Sequence, residues 1–157
     1  MHENHSSMKE NHYRHLSIMA VFSFISMYIL MYAMVNTLDN VYNSFNQFYM
    51  AGLMTAPMLV IELVVMRGMY QNKSYNALII AISIIAGLVF FILIRQQAAI
   101  SDKQFLRSMI PHHAGAVLMC EQAPLNDSDI QALCANIIAG QQAEIDLMKT
   151  KLAELER

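Results

Sequence analysis

Charge is what this chain has least of. Only 14% of its 157 residues are Asp, Glu, Lys or Arg, against about 25% in typical soluble domains. Hydrophobic residues reach 56%. A net charge of −2 leaves no basic patch large enough to hold nucleic acid, so no such partner is expected. Histidine is missing from every apolar run: His2, His5, His12 and His15 precede the first, and His112 and His113 follow the last. That distribution offers no histidine pathway through a membrane. No Glu is followed three residues later by His, the pairing that di-metal carboxylate oxidases place on bundle helices. A di-metal oxidase is therefore not expected, and no catalytic residues are assigned. Cysteine is limited to Cys120 and Cys134.

Long apolar runs take the place of charge. Leu16 to Val35, Phe48 to Met66 and Ala77 to Ile94 are each long enough to cross about 30 Å of hydrocarbon at about 1.5 Å per residue. The first exceeds the apolar core of about 7–15 residues in a signal peptide and ends on Ala33-Met34-Val35, a poor cleavage site. It reads as a retained anchor. The expected organisation is a His-rich disordered tail over 1–15, a three-helix transmembrane region over 16–95 and a soluble domain over 96–157. Lys9, Arg14, Arg67 and Lys73 flank one side of these spans and Arg95, Lys103 and Arg107 the other, but of the two internal loops only Arg67 to Tyr75 is basic, since Asn36 to Gln47 has no Lys or Arg. The positive-inside rule then sets the N-terminus in the cytoplasm and the C-terminal domain in the periplasm, across a bacterial inner membrane.

Two features inside the spans carry a bland and a sharper reading. Met50, Met54, Met58, Glu62 and Met66 recur every fourth residue, a ridge that drifts by about 40° per step. Such a ridge serves helix packing or, through its thioethers, a soft metal. Glu62 is the one ionisable group well within the spans, which defaults to a functional hypothesis, yet it is near enough to Arg67 to snorkel or pair at the interface. The methionines and Glu62 also motivate a transporter, but three spans per chain would need an oligomer to enclose a path.

Beyond Arg95, residues 96–100 are expected to carry the third helix out of the membrane. Ser101 with Gln104 reads as a capping box, and Asp102 suits a first turn. Phe105, Met109, His112 or His113, Ala116 and Met119 or Cys120 then recur at threes and fours. Pro111 cannot donate a backbone bond, which predicts a bend just before the histidine pair. After the loop Pro124 to Ser128, Ile130, Leu133, Cys134, Ile137, Ile138, Ile145, Met148 and Leu152 define a second amphipathic helix. Folding the two antiparallel puts Cys120 and Cys134 at similar distances from the turn, as a disulfide, as thiolate ligands or as buried thiols. It also brings Glu144 and Met148 near the level of Met109 to His113. Consecutive histidines point about 100° apart on a helix, so His112 and His113 do not chelate one ion as a simple pair.

Asp102, Phe105 to Ala114 with its Met109-Ile110-Pro111-His112-His113 core, Met119, and Gln141 to Met148 resemble the motif of the domain-of-unknown-function 305 family. The match covers about Ser101 to Leu152. Upstream, Tyr49-Met50-Ala51 and Ala56-Pro57-Met58 resemble three-span bacterial members. The resemblance implies a ferritin-like helical bundle, an association with copper in some members, and functional positions at Asp102, Met109, His112, His113, Met119, Glu144 and Met148.

The expected fold is thus all-α: three transmembrane helices followed by a C-terminal antiparallel helical hairpin, a ferritin-like half-bundle. A lone hairpin buries too little core to be stable, so a homodimer or docking on the membrane portion is expected. The expected function is a membrane-anchored protein that binds metal, with copper ion as the cargo, through Met109, His112, His113, Met119, Glu144 and Met148. It would sequester the metal or pass it to a metal-handling partner protein. The alternative is a non-metal structural protein whose hairpin mediates dimerisation or recruits a partner.

Overall fold

Apolar runs of this length satisfy their backbone hydrogen bonds most readily as helices, and they do so here. The computed structural model describes the backbone from Glu3 and the side chains from Asn11, each to Arg157. Among the described residues there are five α-helices and no strand: α1 (Glu3–Leu30), α2 (Phe45–Val65), α3 (Lys73–Arg95), α4 (Asp102–Gln122) and α5 (Ser128–Leu155). Two short 3-10 turns, Met31–Met34 and Leu38–Asn40, connect α1 to α2. Three segments, Asn11–Met34, Phe45–Val65 and Lys73–Arg95, are long and apolar enough to cross a membrane. Helix α1 begins at Glu3, ahead of its apolar run and within the stretch expected as a disordered tail. Once the apolar run has formed its turns, each added residue extends an existing helix without a new nucleus. His2 and the side chain of His5 lie outside the described residues.

Contacts divide the chain into two compact units, residues 1–30 with 48–98 and residues 31–47 with 99–157. In the first, Leu16, Leu63 and Tyr70 are buried among Tyr13, Met19, Leu59, Ile79 and Ile80. The Tyr13 hydroxyl donates to Asn76 Oδ1 at 2.7 Å, and its ring lies 5.4 Å from Tyr70 and 5.3 Å from Tyr75. Tyr70 in turn donates to Glu62 Oε1 at 3.4 Å. Burial, and then the neighbouring Glu62 carboxylate, raise the Tyr70 hydroxyl above its ordinary pKa of 10.0, so it remains a donor. Glu62 therefore has a hydroxyl partner at the α2–α3 turn. Of the methionine ridge, Met50, Met54 and Met66 are exposed; the thioether of Met27 accepts from Thr55 Oγ1 at 3.6 Å. Gly52 sits directly beneath the Phe90 ring, where any Cβ would collide with it. Pro57 lies inside α2, as Pro111 lies inside an unbroken α4.

Helix α3 does not continue past Arg95. Gln97 and Ala99 have φ of 49° and 58°, while Ala98 N–H donates to Leu93 O at 3.0 Å and Gln97 N–H to Ile94 O at 3.2 Å. This pair of bonds is a Schellman cap with a non-glycine residue in its left-handed position. Gln97→Gly relieves the Cβ penalty there and is expected to stabilise the protein by about 0.5–1 kcal/mol. Thermal unfolding in detergent checks this; a lowered melting temperature would contradict the assigned cap.

In the second unit, α4 and α5 share a core of Ile110, Ala114, Val117, Ile145 and Leu152, all at most 3% exposed. Their contacts are closed by the Cys120–Cys134 disulfide (Cα–Cα 5.2 Å) and by an Arg107–Glu156 ion pair at 2.7 Å. The sulfurs are therefore bonded to each other and are not thiolate ligands. The segment 31–47, expected as the end of the first apolar run (to Val35) and a polar loop (Asn36 to Gln47), adds Val35 and Tyr42 to this core. Phe45 N–H donates to Gln104 Oε1 at 3.0 Å, and Asn46 Nδ2 to Ser108 Oγ at 3.3 Å. Gln104 is thereby drawn away from the expected capping box, and Ser101 at the N-cap makes no side-chain cap bond. Part of the core that a lone helix pair lacks comes from this segment.

Candidate functional site

The two adjacent histidines have different surroundings because of the register of α4. Ile110, Ala114 and Val117 stand at i, i+4 and i+7 and are buried, and His113 at i+3 falls on the same face. His113 is 9% exposed; His112, one residue back, is exposed. Their rings meet edge-on with centroids 5.9 Å apart. His113 Nδ1 is 2.9 Å from the carbonyl oxygen of Met109, one turn earlier. A carbonyl can only accept, so Nδ1 carries a hydrogen and donates. His113 Nε2 is 2.7 Å from Glu144 Oε2 on α5. One hydrogen bridges that nitrogen and that oxygen. The Glu144 side chain is 59% exposed, so the pair is reached from solvent through its carboxylate.

The remaining expected ligands divide between near and far. Met109 supplies the carbonyl and is half-buried; Met148 is half-buried against the core, one helical turn after Glu144. Met119 is exposed and six residues beyond His113, about 9 Å along the axis. It belongs to the disulfide end of α4. Asp102 is exposed at the start of α4, where it suits the helix dipole and is still farther away. Among the described residues, no three His, Cys, Asp or Glu side chains converge on one point. The structure therefore joins His113 to Glu144, leaves Met109, Met148 and His112 around them, and separates Met119 and Asp102. The choice between the two histidines was available in the sequence: the Ile110–Ala114–Val117 register singles out His113.

A family model described as "Domain of unknown function (DUF305)" matches residues 62–152, more than half of the chain. The chain belongs to the DUF305 family. The match begins within α2 and so extends well upstream of the Ser101 to Leu152 stretch that carries the motif; it includes both His113 and Glu144. Within curated proteins, an uncharacterized protein of Acanthamoeba polyphaga mimivirus is 36% identical over 140 residues, covering 87% of this DUF305 chain and 90% of that relative. No solved structure matches the chain.

Proposed function

We propose that this DUF305 protein is a membrane-anchored metal-binding protein whose α4–α5 pair is an antiparallel hairpin, half of a ferritin-like bundle, with copper as its cargo. One observation carries the reading: His113 Nε2 lies 2.7 Å from Glu144 Oε2 while Nδ1 donates to the Met109 carbonyl. A backbone carbonyl on Nδ1 fixes the ring and its tautomer, which leaves Nε2 as the nitrogen able to ligate. A cation that displaces the shared proton meets one imidazole nitrogen and one carboxylate oxygen. His112, Met109 and Met148 are the nearest further donors, and imidazole with thioether suits copper over harder ions. The set is short of a full coordination shell, which a second copy in a homodimer would complete. Bound metal is sequestered, lowering its free concentration, or passed to a metal-handling partner.

Two packing observations support three crossings of a bilayer. Residues 31–47 pack with 99–157, as segments on one side of a bilayer would; Tyr13, near the start of the first apolar segment, is bonded to Asn76 near the start of α3, as ends on the other side would be. Arg14, Arg67 and Lys73 flank that second side, which the positive-inside rule assigns to the cytoplasm. The disulfide then faces an oxidising compartment, the periplasm if the host membrane is a bacterial inner membrane.

Isothermal titration of the full-length protein in detergent with copper(I) and copper(II) tests the site. Wild type is expected to bind in the micromolar range or tighter, His113→Ala to lose at least tenfold, and His112→Ala to lose less. Equal binding by wild type and His113→Ala would sink the assignment. The second reading, a structural protein acting through the same helix pair, draws on exposed Phe105, Leu133, Leu147 and Leu155 outside the apolar spans. Self-association that depends on these side chains and is indifferent to metal would favour it.

A further inference from the structure

The far end of α4–α5 holds a second set of soft donors, independent of His113 and Glu144. Cys120 and Cys134 are bonded to each other on facing helices, each partly exposed. The turn between them is held by contacts that do not involve sulfur. Asp127 Oδ1 accepts from the N–H groups of Asp129 and Ile130 at 2.9 and 3.0 Å, and Gln131 Nε2 donates to Leu125 O at 2.8 Å. Core packing at Val117 holds α4 three residues before Cys120. Breaking the disulfide therefore leaves two thiols side by side on a structured turn.

We propose that reduction of Cys120–Cys134 uncovers a copper(I) site made of both thiolates. A dithiol reductant attacks one sulfur, and thiol–disulfide exchange leaves two protein thiols while the reductant becomes a disulfide: two electrons and two protons pass to the protein. Copper(I) then displaces the two thiol protons with no change in oxidation state. Thiolate ligands select copper(I), and a partly exposed disulfide is open to the attacking thiol. Metal affinity at this end is thus set by the redox state of the compartment. The proposal stands apart from the site at His113.

The test uses full-length protein in detergent, oxidised or reduced and then freed of reductant without oxygen. Copper(I) is titrated in competition with a chromogenic copper(I) chelator. The reduced protein is expected to bind one copper(I) at least 100-fold more tightly than the oxidised form, with a thiolate-to-copper charge-transfer band in the ultraviolet. The gain should persist in His113→Ala and vanish in C120S/C134S. Reduced wild type alkylated at its thiols should also lose the gain, which keeps the test valid if the double variant fails to fold. Equal affinity of the oxidised and reduced forms, a gain that survives alkylation, or a gain lost in His113→Ala would each overturn the proposal.

Discussion

Ile145→Ala is expected to lower the stability of the unit containing α4 and α5 by about 3 kcal/mol, within the range of about 2–5 kcal/mol found for Ile-to-Ala changes in cores. Ile145 is fully buried against Ile110, Ala114 and Val117, and only Leu152 completes the set of fully covered apolar side chains in this unit. A core this small has few atoms with which to relax into the space left by three carbons. Typical domains are stable by about 5–15 kcal/mol, so a loss of this size is a large fraction of the total. Ile110→Ala should behave alike. Because the two residues share one cluster, the double variant should depart from the sum of the singles. Denaturant unfolding followed by circular dichroism, in detergent, checks both; a loss below about 1 kcal/mol for Ile145→Ala would contradict the core.

The second large effect is expected from the disulfide. Cys120 and Cys134 are separated by 14 positions, and closing a loop of about 15 residues removes about 3 kcal/mol of chain entropy from the unfolded state in the loop-closure account. Replacing both by serine should lower the unfolding free energy of α4–α5 by about that amount, and adding a reductant to wild type should reproduce the loss. The same reductant should leave the double variant unchanged. If reductant destabilises wild type and the double variant equally, the bond is not the source of the effect.

The spans were the most legible part of the chain. Hydropathy reads continuous apolar runs directly, and the three expected segments coincide with α1, α2 and α3 apart from their ends. The starts of α4 and α5 were also readable, since Asp127 is a side-chain cap in the structure, but Ser101 shows how a cap motif is overridden. Gln104 has one side-chain oxygen to offer the backbone, and the nearby N–H of Phe45 takes it. Residues 31–47 were illegible for a different reason. Polar and apolar residues mix there without helical or strand periodicity, and Val35 and Tyr42 look incidental until α4 is beside them. The end of α3 was misread because Gln97 and Ala99 are ordinary helix residues by composition; only their left-handed φ values reveal the turn.

Within the site, sequence reasoning joined Glu144 to the histidine pair across two helices by counting residues from the turn, and the structure has that contact. It also placed Met119 with the histidines, because threes and fours mark a face without marking a depth along it. Six residues along one helix put Met119 about 9 Å along the axis from His113 and about 120° around it. The disulfide was one of three open readings for Cys120 and Cys134, since register from a five-residue loop is uncertain by about a turn.

The most direct test of the metal assignment is elemental analysis of the full-length protein purified from the membrane of its expressing cell, without chelators, beside His113→Ala made in parallel. Copper near one equivalent per chain or per dimer in wild type, reduced at least severalfold in an equally folded His113→Ala, is the predicted result. Copper absent from wild type, or retained in full by the variant, would contradict the assignment of His113 and Glu144 as its site.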